Sequence, residues 1–183
     1  MSGTTVAPMA QRQCGREMIS ESVFAKLVNR ITKDHPTFSH VLAERITDQA
    51  IAFLAASART QQPISPSGIV DIGWHTFLLH TRDYSDFCYR VAGRFIHHEP
   101  TTPADRTAMS RADVAAARER TLGAIERSGF VADEELWPVA GEQYRVPEVT
   151  PDSYVSPGAL GADLADCTQC YAGCTDSPSE PGK

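Results

Sequence analysis

The sequence predicts an all-α protein, a compact bundle of about four helices, and three observations carry that expectation. Apolar residues recur at spacings of three and four in successive stretches between residues 20 and 129, the period of a helix buried along one side. Serine, proline and glycine punctuate those stretches where caps and breaks belong. The two ends of the chain lack periodicity: residues 1–18 are small and polar, and residues 141–183 are rich in proline, serine, aspartate and glycine, compositions that bury too little apolar surface to offset chain entropy. A helical domain over residues 19–140 is expected between a disordered N-terminus and an irregular, flexible C-terminal tail.

The first helix is read over residues 20–33, where Val23, Phe24, Leu27, Val28 and Ile31 form one stripe. Ser20 or Ser22 caps it, and the run Asp34, His35, Pro36 ends it, because the residue before a proline disfavours helical geometry. A second helix over 39–59 turns Val41, Leu42, Ile46, Ala50, Ile51, Phe53 and Leu54 inward and Glu44, Arg45, Asp48 and Gln49 outward. Residues 60–67 (TQQPISPS) make a loop that delivers Ser67 as a cap. A long third helix is read over 68–92, with Val70, Trp74, Phe77, Leu78, Tyr84, Phe87, Cys88 and Val91 as the aromatic centre of the core and Gly93 as its breaker. After a short extended piece held by Phe95 and Ile96, a last helix is expected to open at Pro103 and run through Met109, Val114, Leu122 and Ile125 to Gly129. Phe130, Val131, Leu136 and Trp137 then anchor the chain back on the bundle, with Glu134 and Glu135 as a solvated face.

A chain of 183 residues with 42% hydrophobic content can build one domain core. Its formal charge of −6, with no block of lysine or arginine, gives no electrostatic footprint for nucleic acid or anionic lipid. No stretch approaches the roughly 18 apolar residues of a membrane span, and the N-terminal run lacks the continuous apolar segment of a secretory signal. The expected location is cytoplasmic, where an odd set of five cysteines makes a poor disulfide framework.

The chemistry concentrates in the middle of the chain. Four of the six histidines, His75, His80, His97 and His98, lie close together, and Asp71 precedes His75 by four residues. On a helix an i, i+4 pair is only about 40° apart, so Asp71 and His75 can share an ion or act as ligand and orienting partner. His80, five residues on, lies about 140° around an ideal helix from His75; it joins the same ion only if the helix is distorted, and its more ordinary use is a hydrogen bond to Tyr84. His97 and His98 point to different sides of the chain, and His98 is preferred as the inward one. One reading makes Asp71, His75 and one or both of His97 and His98 a transition-metal site, with His80 as a fourth group, for zinc, iron or copper. The other makes them satisfied core and capping histidines around Trp74; no HExxH signature decides between them.

The tail carries Cys167, Cys170 and Cys174 as C-x2-C-x3-C, a spacing that lets three thiolates face one soft ion, with Cys14, Cys88 or a central histidine to complete the set. The alternatives are free thiols on a flexible tail, or a redox-active, modified or partner-recruiting segment. Cys88 itself, between Phe87 and Tyr89, reads as a buried apolar residue. No phosphate loop or G-x-S-x-G elbow occurs.

The run VDIGWHTFLLHTRDYSDFCYRVAGRFIHHEP, residues 70–100, resembles the core of the glycine-rich domain-containing protein-like family, in which V-D-x-x-W-H is followed by a tyrosine. The resemblance implies a helical domain and singles out Asp71, Trp74, His75 and Tyr84. The chain departs from the plant members in having a cysteine-bearing tail in place of a glycine-rich region, and its Ala/Arg-rich usage points to a bacterial member. Two functions remain open at this level: a metal-binding protein whose ion at Asp71, His75 and His98 activates water or oxygen, or a non-catalytic accessory protein whose tail binds a protein partner.

Overall fold

The computed structural model describes residues 12–99, 109–139 and 144–145. Among them the chain is all-α: α1 (Glu21–Asp34), α2 (His40–Ser57), α3 (Gly68–Leu79), α4 (Thr81–Ala92) and α5 (Arg111–Arg127), with single 3-10 turns at Gly15–Met18 and Glu134–Leu136. Four of the five described α-helices begin at a serine cap, three of them, α1, α2 and α3, where the sequence places their starts. Ser20, Ser39, Ser67 and Ser110 each accept a hydrogen bond from a first-turn backbone N–H of α1, α2, α3 and α5 respectively, which satisfies one of the donors a helix start leaves orphaned. No described helix is long and apolar enough to cross a membrane.

Helix α2 is the axis of the molecule. It is buried on almost every side, through Leu42, Ile46, Ile51, Phe53, Leu54 and its alanines, and packs against α1, α3, α5 and the first 3-10 turn; an apolar surface all round has no other stable place than the interior. The close approach of α3 depends on Gly73, where an added Cβ would meet the Ala50 Cβ at 2.7 Å and the Ile46 carbonyl oxygen at 3.0 Å. Because Gly73 lies between Asp71 and His75, the same contact that seats α3 sets the depth of the candidate site.

The structure corrects the expected third helix. Residues 68–92 form two helices, broken at His80, which leaves helical geometry at φ −93°, ψ 60° while its N–H bonds to the Phe77 carbonyl. Phe77 and Tyr84 are both buried and seven residues, about two turns, apart, so the apolar pattern stays in phase across the break and hides it from periodicity. Helix α4 then ends as expected at Gly93, in the left-handed region at φ 69°, which a residue without Cβ adopts at little cost.

Further corrections concern boundaries and faces. The last helix starts at Arg111, since Ser110 and Asp113 form a reciprocal capping box; Met109 precedes it, and Pro103 lies outside the described residues. Val41, Val114 and Val131, expected inside, are 64%, 36% and 41% exposed, and Gln49, expected outside, is 3% exposed. Residues 12–18, expected to be loose, are docked: Gln13 bridges to Phe130, Gly15 is buried and the Arg16 N–H donates to Asp48 at 2.9 Å.

Candidate metal site

Three side chains from two segments converge at the outer edge of α3. Asp71 and His75 lie one turn apart on that helix, as the i, i+4 spacing predicts, and His98 is brought over them by the segment that follows Gly93. Their ligand-type atoms all lie within 4.8 Å of one another, and this is the one such group of three among the described residues. Asp71 Oδ1 lies 2.9 Å from His98 Nε2, and Asp71 Oδ2 lies 3.4 Å from His75 Nδ1. The two imidazole rings face each other with centroids 4.4 Å apart.

Burial grades across the group. The side chains of Asp71 and His98 are 1% and 5% exposed, whereas that of His75 is 42% exposed, so the cluster has a closed inner wall and an outer side open to solvent. Asp71 Oδ2 is buried without a hydrogen-bond partner among the described residues, a costly position for a carboxylate oxygen unless a cation or donor meets it. Desolvation by burial pushes the His75 imidazole below its ordinary range; the Asp71 charge opposes that shift and His98 adds to it. A neutral imidazole is the form that coordinates metals.

The surroundings fix the inner wall. The Trp74 ring meets His98 edge-on at 4.4 Å, and its Nε1 donates to the Tyr84 hydroxyl at 2.9 Å. Tyr84 in turn donates to the Ile96 carbonyl at 2.6 Å. The expected His80–Tyr84 bond is not formed: His80 Nε2 is buried without a hydrogen-bond partner among the described residues, at the α3–α4 break. His97 is exposed and packs on Phe95 with ring centroids 5.0 Å apart. Neither His80 nor His97 belongs to the group of three.

Of the sequence-predicted residues, Asp71, His75 and His98 are thus brought together, and His80 and His97 are not. Cys167, Cys170 and Cys174 lie outside the described residues. Cys14 is exposed and Cys88 buried, the latter as its place on an apolar stripe implied. The ring contact of Trp74 with His98 was not legible in the sequence, because the two residues are brought together only by the turn after α4.

The sequence model of the UCP032817-like family matches residues 15–118 of the chain, a span that contains the whole Asp71, His75, His98 group. No curated protein matches the chain, and no solved structure does.

Proposed function

We propose that this chain, which belongs to the UCP032817-like family, holds a transition-metal ion between Asp71, His75 and His98. The observation that carries the reading is the buried Asp71 carboxylate: one oxygen is bonded to His98, the other has no hydrogen-bond partner, and both look toward imidazoles. Two imidazoles and one carboxylate are a donor set suited to zinc or iron, and copper also accepts it. Ligand atoms around such an ion sit about 3.3 Å apart, from metal–ligand distances near 2.1 Å, so a modest closure of the group brings all three side chains onto one ion. Three protein ligands leave positions for water or substrate, and the exposed His75 side sets the direction from which they enter. A metal there supplies Lewis acidity to a bound water or carbonyl oxygen.

A second reading rests on the 2.9 Å contact of His98 with Asp71, which pairs one Asp71 oxygen with His98 without an ion and would serve a purely structural or accessory role. The two separate on metal content. Full-length protein purified without a polyhistidine tag, with Cys167, Cys170 and Cys174 replaced by Ser so that the tail thiols contribute nothing, is expected to bind about one equivalent of Zn(II) or Fe(II), and His75→Ala to weaken that binding at least about tenfold with helix content intact. Binding below about a tenth of an equivalent would remove the metal reading and leave the structural one.

A further inference from the structure

We infer that Tyr84 is a positioning residue for this site, holding His98 over Asp71 through the backbone of Ile96. The inference deepens the metal reading above and rests on it for the chemistry, but its geometry stands on its own. His98 belongs to a segment that is neither helix nor strand over residues 93–99, so no regular hydrogen-bond ladder fixes its height above α3. What fixes it is a chain of buried groups. The Tyr84 hydroxyl donates to the Ile96 carbonyl, two residues before His98, and accepts from Trp74 Nε1. Tyr84 and Trp74 are both 0% exposed and Ile96 is 2% exposed.

Trp74 closes the loop, since it sits between Asp71 and His75 on α3 and its ring edge packs on His98. One phenol therefore ties together the helix that carries two members of the group, the helix that follows the His80 break, and the extended segment that carries the third. Phe77 and Phe95 meet the Tyr84 ring edge-on at 5.2 Å each, so the ring is held by packing and the hydroxyl is left to do the aiming. Loss of the hydroxyl strands a buried indole N–H and a buried carbonyl. The cheapest repair is a shift of the 93–99 segment, which lifts His98 from Asp71.

The test compares the full-length chain with Tyr84→Phe, and with Leu27→Ala in α1 as a control that destabilises the core without removing a hydrogen bond of the tether. Co(II) affinity is read from its visible absorption, and the His98 imidazole is read by nitrogen-15 NMR in metal-free protein. Tyr84→Phe is expected to weaken Co(II) binding about 10- to 100-fold, the usual reach of partners behind the ligands, and to shift the His98 ring resonances; Leu27→Ala is expected to change neither. Unchanged affinity and an unchanged His98 signal in Tyr84→Phe would overturn the assignment, as would an equal loss in Leu27→Ala. If the parent chain binds no Co(II), the metal reading falls, and the His98 signal alone then decides whether Tyr84 positions it. Should Tyr84→Phe fail to fold, 3-fluorotyrosine placed at position 84 carries the test, since it keeps the ring in place and changes the strength of the hydroxyl's bond to the Ile96 carbonyl: a moved His98 signal supports the tether and an unmoved one overturns it.

Discussion

Two regions of this molecule bury polar side chains beside a tryptophan, and they differ in how completely those groups are paired. Midway along α2, Gln49 Oε1 accepts from the Asp133 N–H and from Trp137 Nε1, while Gln49 Nε2 donates to the Val131 carbonyl. Arg45 beside it makes a two-pronged bond to Asp133 and a third to Glu135. Both ends of the buried Gln49 amide are paired, and the knot fastens the chain after α5 onto the central helix. At the edge of α3, Trp74 lies beside Asp71, His75 and His98, where a buried carboxylate oxygen has no hydrogen bond and one imidazole is open to solvent. A well-paired polar cluster specifies a fold; one with an unpaired buried oxygen calls for a further partner.

That contrast is broken most forcefully at Trp137. Trp137→Ala opens a large cavity and removes a donor from Gln49, so thermal or denaturant unfolding should register a loss of about 3–5 kcal/mol. Metal affinity at Asp71, His75 and His98 should be untouched in the folded fraction; a coupled loss would mean the two regions are one unit. Gln49→Leu comes next. It strands the Trp137 and Asp133 N–H groups, and a cost of about 2 kcal/mol is expected from that desolvation, measured in the same unfolding experiment. A neutral result would show that water reaches the knot and that its bonds are replaceable.

The sequence carried the knot and the site unequally. Asp71 and His75 announce themselves by an i, i+4 spacing that a helix converts directly into adjacency, and serine at 20, 39 and 67 marks the helix starts for an equally local reason. Gln49 reads as a surface residue of α2 because its partners, Val131, Asp133 and Trp137, are more than 80 positions away and only the fold brings them near. Choosing His98 over His97 depended on which way an irregular segment turns, a decision made by the Tyr84 bond to Ile96. The His80 break left no trace, since two turns separate the buried residues on either side and the stripe continues in phase. Local chemistry is legible; long-range pairing and single-residue breaks are not.

Asp71→Asn sharpens the comparison from the opposite side. The substitution keeps the shape and an acceptor toward His98 but removes a buried charge whose second oxygen has no hydrogen-bond partner. Stability should therefore change by less than about 1 kcal/mol or rise, whereas a charge in a fully paired network is costly to delete. Zn(II) or Co(II) binding should fall steeply in the same variant. A large destabilisation with metal binding intact would place Asp71 with the structural knot instead.

The smallest effect is in the pH dependence of the metal-free protein. Burial lowers the His75 pKa from its ordinary value of 6.5, so between the folded and unfolded values the unfolded chain binds the extra proton and the folded chain does not. Stability from this group is complete above pH 6.5 and declines as the pH falls through that value toward the lowered one. His35 shifts in the same direction, also through burial, so the parent chain alone does not isolate His75. Comparison with His75→Gln does: the parent should lose about 1 °C or less of melting temperature relative to the variant between pH 7.5 and 5, small because the imidazole is partly exposed and solvent screens it. Zn(II) should steepen the parent's slope and leave the variant's unchanged, since protons and metal compete for the same nitrogens. Parallel curves with and without Zn(II) would show that the proton and the ion do not share His75, and the open side of the site would have to be assigned to another group.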